Sequence, residues 1–307
     1  MTDLPKGVSC TMLMPYTAEN RPDFGALDAM VRWYAAKGCA SLFAMCQSTE
    51  MSLLSAEERL AVIRRVRENA GRGTPVLATG TFSDDIAEIA ESSLAVREAG
   101  ADAVVMLTNR LDPKNGGGGA LIKNAERLMG RLPEDITLGF YECPLPYKRL
   151  LTAEELRWAA STGKIRFLKD TCCDPDMLRE RLDIVRDTPL KLFNANAQTL
   201  LLSLRYGAAG YSGVMANIQP ELFVWLCDNF KRYPEQAERL QQVLCFCAFS
   251  ESLSYPLTAK YAMRREGVPV EINSRMRGGE EFTPYHAHIM DQLLALTRHE
   301  RERLPRK

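Results

Sequence analysis

The chain of 307 residues is 46% apolar and 25% charged, with 39 basic side chains balanced by 39 acidic ones. It can bury one large core or two smaller ones, and zero net charge with no basic cluster leaves no electrostatic footprint for nucleic acid, so the expected partner is a small molecule. No apolar stretch reaches 18 residues and Met1-Thr2-Asp3-Leu4-Pro5-Lys6 has neither a basic nor an apolar leader region, so no membrane partner and a cytoplasmic location are expected.

Short apolar runs alternate with segments of helical period along the chain, as a parallel sheet with crossover helices requires. The strands are predicted at 9–15, 41–45, 75–80, 103–108, 136–143, 165–171, 190–195 and 210–215. Between them lie amphipathic stretches, among them Asp23–Gly38, Ser55–Arg72, Asp84–Gly100 and Thr152–Gly163. Ser55-Ala56-Glu57-Glu58 and Thr152-Ala153-Glu154-Glu155 have the capping-box form, and Gly38, Gly100, Gly163 and Gly207 fall where helices should stop. Eight such units fit a (β/α)8 TIM barrel, an α/β fold whose usual length is about 250 residues. A doubly wound open sheet is the alternative, but no G-x-G-x-x-G turn follows the first strand. After Arg232 the pattern becomes helical only, with Glu235–Gly267 and Pro284–Leu304 as long candidates. The expected organisation is therefore a barrel over 1–232 and a C-terminal helical extension over 233–307, packed on the barrel or building the interface of a homo-oligomer, a dimer or tetramer.

The reacting groups of such a barrel sit at the C-terminal ends of its strands. The apolar run Ile165-Arg166-Phe167-Leu168 ends in Lys169, where a strand buried in packing would be expected to carry another apolar side chain. Burial lowers a lysine's pKa, and a lysine made neutral in this way can attack a carbonyl to form an imine. The plain alternative is a surface lysine just past a strand end. Tyr141 falls on the preceding strand, roughly 5 Å away in the pairing direction, where a phenol can act as acid and base to the amine. The other strand ends carry Met14-Pro15-Tyr16, Cys46-Gln47-Ser48-Thr49-Glu50, Thr81-Phe82, Asn109-Arg110, Tyr141 through Arg149, Asn194 and Asn196, and Ser212 to Asn217.

Other chemistries have little to build on. Nine scattered cysteines without a C-x-x-C pair read as reduced core thiols, and three histidines confined to positions 286, 288 and 299 cannot supply a histidine-rich metal site or a catalytic triad. The Asn115-Gly116-Gly117-Gly118-Gly119 run lacks the Lys-Ser/Thr of a nucleotide-binding loop and reads as a mouth loop or helix entry. Cys172-Cys173 reads as structural, and Cys46 as a lining thiol with no histidine to activate it.

Taken together, Gly7-Val8 with Met14-Pro15-Tyr16, Ser48-Thr49-Glu50 followed by Leu54-Ser55-Ala56-Glu57-Glu58-Arg59, Glu98-Ala99-Gly100-Ala101-Asp102-Ala103, Tyr141 with Pro144, Lys169 and Gly207-Ala208-Ala209-Gly210 resemble the pyruvate-dependent class I aldolases of the dihydrodipicolinate synthase and N-acetylneuraminate lyase group. The resemblance spans the whole barrel. It implies a carbon–carbon lyase in which Lys169 forms an imine with pyruvate or a related 2-oxo acid, Tyr141 shuttles protons, and Gln47-Ser48 holds the keto-acid carboxylate, with neither metal nor cofactor.

The sequence also departs from that pattern. The family's glycine-flanked hydroxyl pair is Gln47-Ser48 here, flanked by Cys46 and Thr49; Arg110-Leu111 stands where the dihydrodipicolinate synthases have a tyrosine pair; and their arginine for the aldehyde partner's carboxylate falls at Pro146. Dihydrodipicolinate synthesis itself is not expected. The binding candidates are Gln47, Ser48, Thr49, Arg110 and Ser212, with Lys148 and Arg149 as further anchors for a distal anion and Asn194, Asn196 and Asn217 for hydroxyls. Two alternatives stay open: a dehydratase of a 2-keto-3-deoxy sugar acid working through the same imine, and a ligand-binding barrel without turnover.

Overall fold

The computed structural model describes residues 1–117 and 119–305. Eight parallel strands close into a barrel in sequence order: β1 (Gly7–Thr11), β2 (Ser41–Met45), β3 (Val76–Thr79), β4 (Ala103–Leu107), β5 (Leu138–Tyr141), β6 (Ile165–Asp170), β7 (Lys191–Asn194) and β8 (Gly210–Tyr211). Around them run α1 (Phe24–Ala36), α2 (Ala56–Asn69), α3 (Ile86–Glu98), a short α4 (Thr108–Leu111), α5 (Ala120–Met129), α6 (Ala153–Ser161), α7 (Pro175–Val185), α8 (Leu200–Tyr206) and α9 (Pro220–Asn229). The last three helices are α10 (Pro234–Cys247), α11 (Leu257–Arg265) and α12 (Pro284–Arg303).

The helices start where the side chains can satisfy their free N–H groups. Ser55 and Glu58 form a reciprocal pair at the start of α2, Ser55 Oγ accepting from Glu58 N at 3.1 Å and Glu58 Oε2 from Ser55 N at 2.9 Å, and Thr152 with Glu155 does the same for α6. Asp23, Asp85 and Asp174 cap α1, α3 and α7. Gly38, Gly100, Gly163 and Gly207, expected at helix ends, all have positive φ.

The fifth strand is shorter than predicted, Leu138–Tyr141 rather than 136–143, and three other elements differ in ways that the local chemistry explains. The first strand runs over 7–11 rather than 9–15: Met12 N donates the last ladder bond, to Phe43 O at 3.1 Å, and Pro15 has no N–H with which to continue. The last strand has two residues instead of six. Beyond it Ser212 N still reaches Asn194 O at 2.8 Å, but Gly213 packs so close to Ala195 O and Tyr211 Oη that a Cβ would lie 2.3 and 2.2 Å from them, and a 3-10 turn, Val214–Asn217, follows. The continuous helix read over 235–267 is interrupted after Cys247 by a 3-10 turn, Ala248–Ser252, because Pro256 cannot carry a helix through. The glycine run at 115–119 includes Gly118, which lies outside the described residues; Gly119 opens α5 with φ 86°.

Side chains on consecutive strand positions alternate between the barrel interior and the helical layer. Phe43, Tyr141, Phe167 and Phe193 meet inside, with ring centroids 5.1 to 5.9 Å apart along the Tyr141–Phe43–Phe167–Phe193 chain of contacts. The residues next to Tyr141 and Lys169, namely Glu142 and Asp170, turn outward, where both carboxylates meet Arg181 of α7. Among the described residues no helix is long and apolar enough to cross a membrane.

Candidate active site

Tyr141 and Lys169 are register partners on β5 and β6 and end side by side at the inner mouth of the barrel. Lys169 is only 3% exposed, and its Nζ lies 4.6 Å from the centre of the Tyr141 ring. Burial holds its ammonium below the ordinary lysine value, against the opposing pull of Cys46, Cys143 and Glu251. No ion pair among the described residues fixes its charge. Burial likewise pushes the Tyr141 phenol well above its ordinary value, with Cys143 and Cys46 adding to the effect, so Tyr141 is protonated at neutral pH.

The strands that carry this pair are clamped from behind. Arg181 donates to Glu142 at 2.9 Å and to Asp170, and its other nitrogen donates to Leu151 O at 2.7 Å. Glu142 also accepts from Leu151 N at 2.8 Å and Thr171 N at 3.0 Å. Complete burial raises the Glu142 carboxyl above its ordinary range; Arg181 pulls it down and Asp170 pushes it up. These outward partners fix the strand ends from which Tyr141 and Lys169 point inward.

The loop after β2 is a 3-10 turn, Gln47–Thr49. Gln47 reaches the site, its Oε1 accepting from Cys143 Sγ at 3.8 Å. Ser48 is 4% exposed and its Oγ accepts from Tyr255 Oη at 2.8 Å. The Thr49 hydroxyl closes the turn itself, accepting from Cys46 N at 2.6 Å and donating to Cys46 O at 2.9 Å. Ser212 is fully buried with an Oγ that has no hydrogen-bond partner among the described residues. Arg110 stands farther out, paired with Asp84 at 2.9 Å, and lines a cleft of about 390 Å³ with Gln47, Arg59, Phe82 and Pro146.

Other expected anchors serve the framework. Arg149 is buried between Asp112, at 3.0 Å, and Glu155, at 2.5 Å, so it holds loops together instead of facing a ligand, while Lys148 is exposed. Asn194 Nδ2 donates to Thr199 Oγ1 at 3.0 Å and Ser203 Oγ at 3.1 Å, and Asn196 Oδ1 accepts from Thr199 N at 3.0 Å; both shape the entry to α8. Asn217 is fully buried, donating to Thr11 O at 2.9 Å and to Tyr255 Oη at 3.0 Å and accepting from Tyr34 Oη.

Tyr255 and Glu251 reach the site without having been singled out in the sequence. Both lie on the interruption between α10 and α11, and the signal for it was present: Ser250-Glu251-Ser252-Leu253-Ser254-Tyr255-Pro256 is a serine-rich run ending in proline, which marks a loop inside an otherwise helical period.

This arrangement can present a desolvated amine to a carbonyl, a phenol to the oxygen that must leave, and hydroxyls to a carboxylate. Similar proteins have been characterised. The chain is 25% identical, over 75% of its own length and 76% of the relative's, to the 4-hydroxy-tetrahydrodipicolinate synthase of Staphylococcus epidermidis. Its fold superposes with a TM-score of 0.84 on YagE of E. coli K12, a prophage protein of the dihydrodipicolinic acid synthase family solved with pyruvate, at 21% identity over 95% of this chain and 98% of the other. The dihydrodipicolinate synthase of Acinetobacter baumannii, also solved with pyruvate, gives 0.83 at 21% identity and the same coverage. The Dihydrodipicolinate synthetase family model matches residues 4–280, a span that takes in all eight strands, Tyr141, Lys169 and the turn bearing Glu251 and Tyr255, and the chain belongs to that family.

Proposed function

We propose that the protein is a metal-independent carbon–carbon lyase in which Lys169 Nζ forms an imine with C2 of pyruvate or a related 2-oxo acid. The observation that carries the assignment is a nearly inaccessible amine, lowered in basicity by burial, beside a protonated phenol. The neutral amine adds to C2 and passes one of its protons to the former carbonyl oxygen; Tyr141 donates the second, the oxygen leaves as water with Tyr141 left as a phenolate, and the iminium then accepts the electron pair of the bond to be broken. The Ser48 hydroxyl and the backbone of its turn take the C1 carboxylate, with Gln47 beside them and Thr49 supporting the turn. Ser212, after β8, offers a hydroxyl that has no partner among the described residues. Among the described residues no three His, Cys, Asp or Glu side chains converge as a metal site would require.

The partner molecule that pyruvate is released from or joined to extends into the cleft lined by Gln47 and Arg110. Pro146 in that cleft offers no charge, and Arg149 is held by Asp112 and Glu155, so aspartate semialdehyde should be a poor acceptor. Exposed Phe246, Phe249 and Tyr285 on the C-terminal helices support assembly into a homo-oligomer through that face.

The test is borohydride reduction with pyruvate followed by peptide mass spectrometry. A reduced pyruvyl adduct on Lys169, absent from a folded Lys169→Ala variant, is expected. An adduct on another lysine, or none on the wild type, refutes the assignment.

A further inference from the structure

A second buried lysine takes no part in the imine chemistry. Lys260 of α11 is fully buried; its Nζ lies 3.7 Å from Glu50 Oε1, donates to Asn273 O, and sits 4.8 Å from the centre of the Tyr16 ring. Burial lowers its ammonium to about 8, with Glu50 pulling it back up, so near neutral pH it is largely the cation. Glu50 is buried as well, and its Oε1 accepts no hydrogen bond among the described residues. Its Oε2 accepts from Ser274 Oγ and from Met276 N, both at 2.9 Å. An amine enclosed in this way by protein partners is a counter-charge and not a second nucleophile.

What the counter-charge holds is the turn after β2. Glu50 N donates to Gln47 O at 3.0 Å and closes the turn Gln47–Thr49, while Glu50 O accepts from Leu53 N at 2.8 Å and opens the next one, Met51–Leu53. The backbone does this at φ 56°, a left-handed conformation that is unfavourable for a residue with a side chain, and the side-chain contacts of Glu50 offset that cost. They come from the segment 273–277. Arg275 of the same segment donates to both oxygens of Glu58 at 2.8 Å and to Leu53 O at 3.0 Å, and Met276 Sδ accepts from Gln47 Nε2 at 3.9 Å.

This places a carboxylate two residues from Ser48, where the C1 carboxylate of a 2-oxo acid is to bind. Left alone, Glu50 would repel that ligand; the ammonium of Lys260 offsets the repulsion. We propose, building on the reading that this turn takes the C1 carboxylate, that Glu50 is a positioning residue for the turn, with Lys260 as its counter-charge and Ser274 as its tether to the C-terminal segment. The set governs how tightly a 2-oxo acid is held by its carboxylate, and the amine chemistry of Lys169 proceeds without it. A brace that only kept the barrel folded would affect every carbonyl compound alike, whereas this one acts through the carboxylate.

The experiment compares wild type with Glu50→Gln, Lys260→Met, the double variant and Ser274→Ala. Cyanoborohydride trapping on Lys169 is followed by mass spectrometry over a range of concentrations of pyruvate and of methyl pyruvate, the ester without the negative charge. Glu50→Gln weakens the hold of the C-terminal segment and Lys260→Met bares the Glu50 charge, so each should raise the half-saturating pyruvate concentration about ten- to a hundredfold. Ser274→Ala should raise it about three- to tenfold. Trapping at saturating pyruvate, and trapping of methyl pyruvate, should stay within about threefold in all of them. The double variant strands neither charge and should show less than the product of the two single effects. Folded Glu50→Gln and Lys260→Met with half-saturation within threefold of wild type, or equal losses with pyruvate and its ester, overturn the role of Glu50. Where neither of them folds, Ser274→Ala keeps the ion pair and decides the matter: an unchanged half-saturation there overturns the role. A wild type that traps neither compound overturns the imine assignment and this role with it.

Discussion

Replacing Arg181 by methionine leaves a buried position filled but strands two carboxylates. Glu142 and Asp170 are both fully buried, and Arg181 is the cation they share. Removing one partner from a buried ionic cluster costs roughly 3–5 kcal/mol. Glu142 keeps the donors Leu151 N and Thr171 N, and Asp170 keeps Cys172 N at 3.0 Å, which places the loss near the lower end, about 3 kcal/mol. With an unfolding entropy of about 2.1 cal/mol/K per residue, a chain of 307 residues has roughly 0.64 kcal/mol/K in total, so the melting temperature should fall by about 5 °C at pH 8. The sign of the pH dependence follows from the raised Glu142 carboxyl, which loses the cation that pulls it down. A carboxyl whose folded pKa exceeds its unfolded value binds more protons folded than unfolded between the two, so stability decreases as pH rises through that window. The deficit of Arg181→Met should therefore be larger at pH 8 than at pH 5 in calorimetric melts of the two proteins side by side. A variant melting within 1 °C of the parent at pH 8, or a deficit that grows on acidification, refutes the view that Arg181 holds two buried carboxylates in place.

Tyr141→Phe keeps the ring beside Lys169 but removes the proton donor, so kcat should fall about 10²–10⁴-fold while pyruvate is still trapped slowly; wild-type turnover in single-turnover kinetics would reduce Tyr141 to packing. Tyr255→Phe deprives Ser48 of its donor and Asn217 of an acceptor, a loss of roughly 1–3 kcal/mol or about five- to over a hundredfold in kcat/KM, expressed mainly in KM for the 2-oxo acid; an unchanged KM would detach Tyr255 from carboxylate binding. Arg110→Ala breaks a half-exposed pair with Asp84 and should cost less than about 1 kcal/mol of stability by denaturant titration, while weakening turnover of acidic 2-oxo acids about tenfold or more and leaving pyruvate trapping unaltered; equal turnover of acidic and neutral substrates by both proteins would place the selecting group elsewhere.

The barrel was legible because its information is local and repeated. Capping pairs such as Ser55 with Glu58, glycines at helix ends and the alternation of strand and helix patterns each act over a few residues, and together they leave few topologies. Tyr141 and Lys169 were legible for a related reason: residues at the ends of successive parallel strands must become neighbours, whatever the loops do. Glu251 and Tyr255 were not, since their arrival at Ser48 and Lys169 depends on a helix that stops at Cys247 and a segment that crosses back over the mouth from beyond the eighth strand before Pro256 opens the next helix. Arg149 misleads in the opposite way. It sits in a loop that faces the mouth, but its buried partners Asp112 and Glu155 come from other loops and a helix cap, which no short window of sequence reveals.

The seam between β1 and β8 has a consequence for how the molecule comes into being. It is made by Gly7 facing Gly210 and Val8 facing Tyr211, and the approach is so close that a Cβ on Gly210 would lie 1.7 Å from Gly7 O. A chain emerging from its N-terminus must hold β1 with one side unpaired until residues some 200 positions later arrive. Joining ends that far apart carries an entropy cost of about 5 kcal/mol, repaid only when the whole ring closes. Until then the backbone N–H and C=O groups on the open side of β1 form an edge able to capture another strand. The narrow glycine contact limits which strand fits: a competitor needs a residue without a side chain opposite Gly7, and most sequences lack one at the right register. The seam thus delays closure and also screens its partner, so correct assembly of the barrel rests on hydrogen atoms where other residues carry carbon.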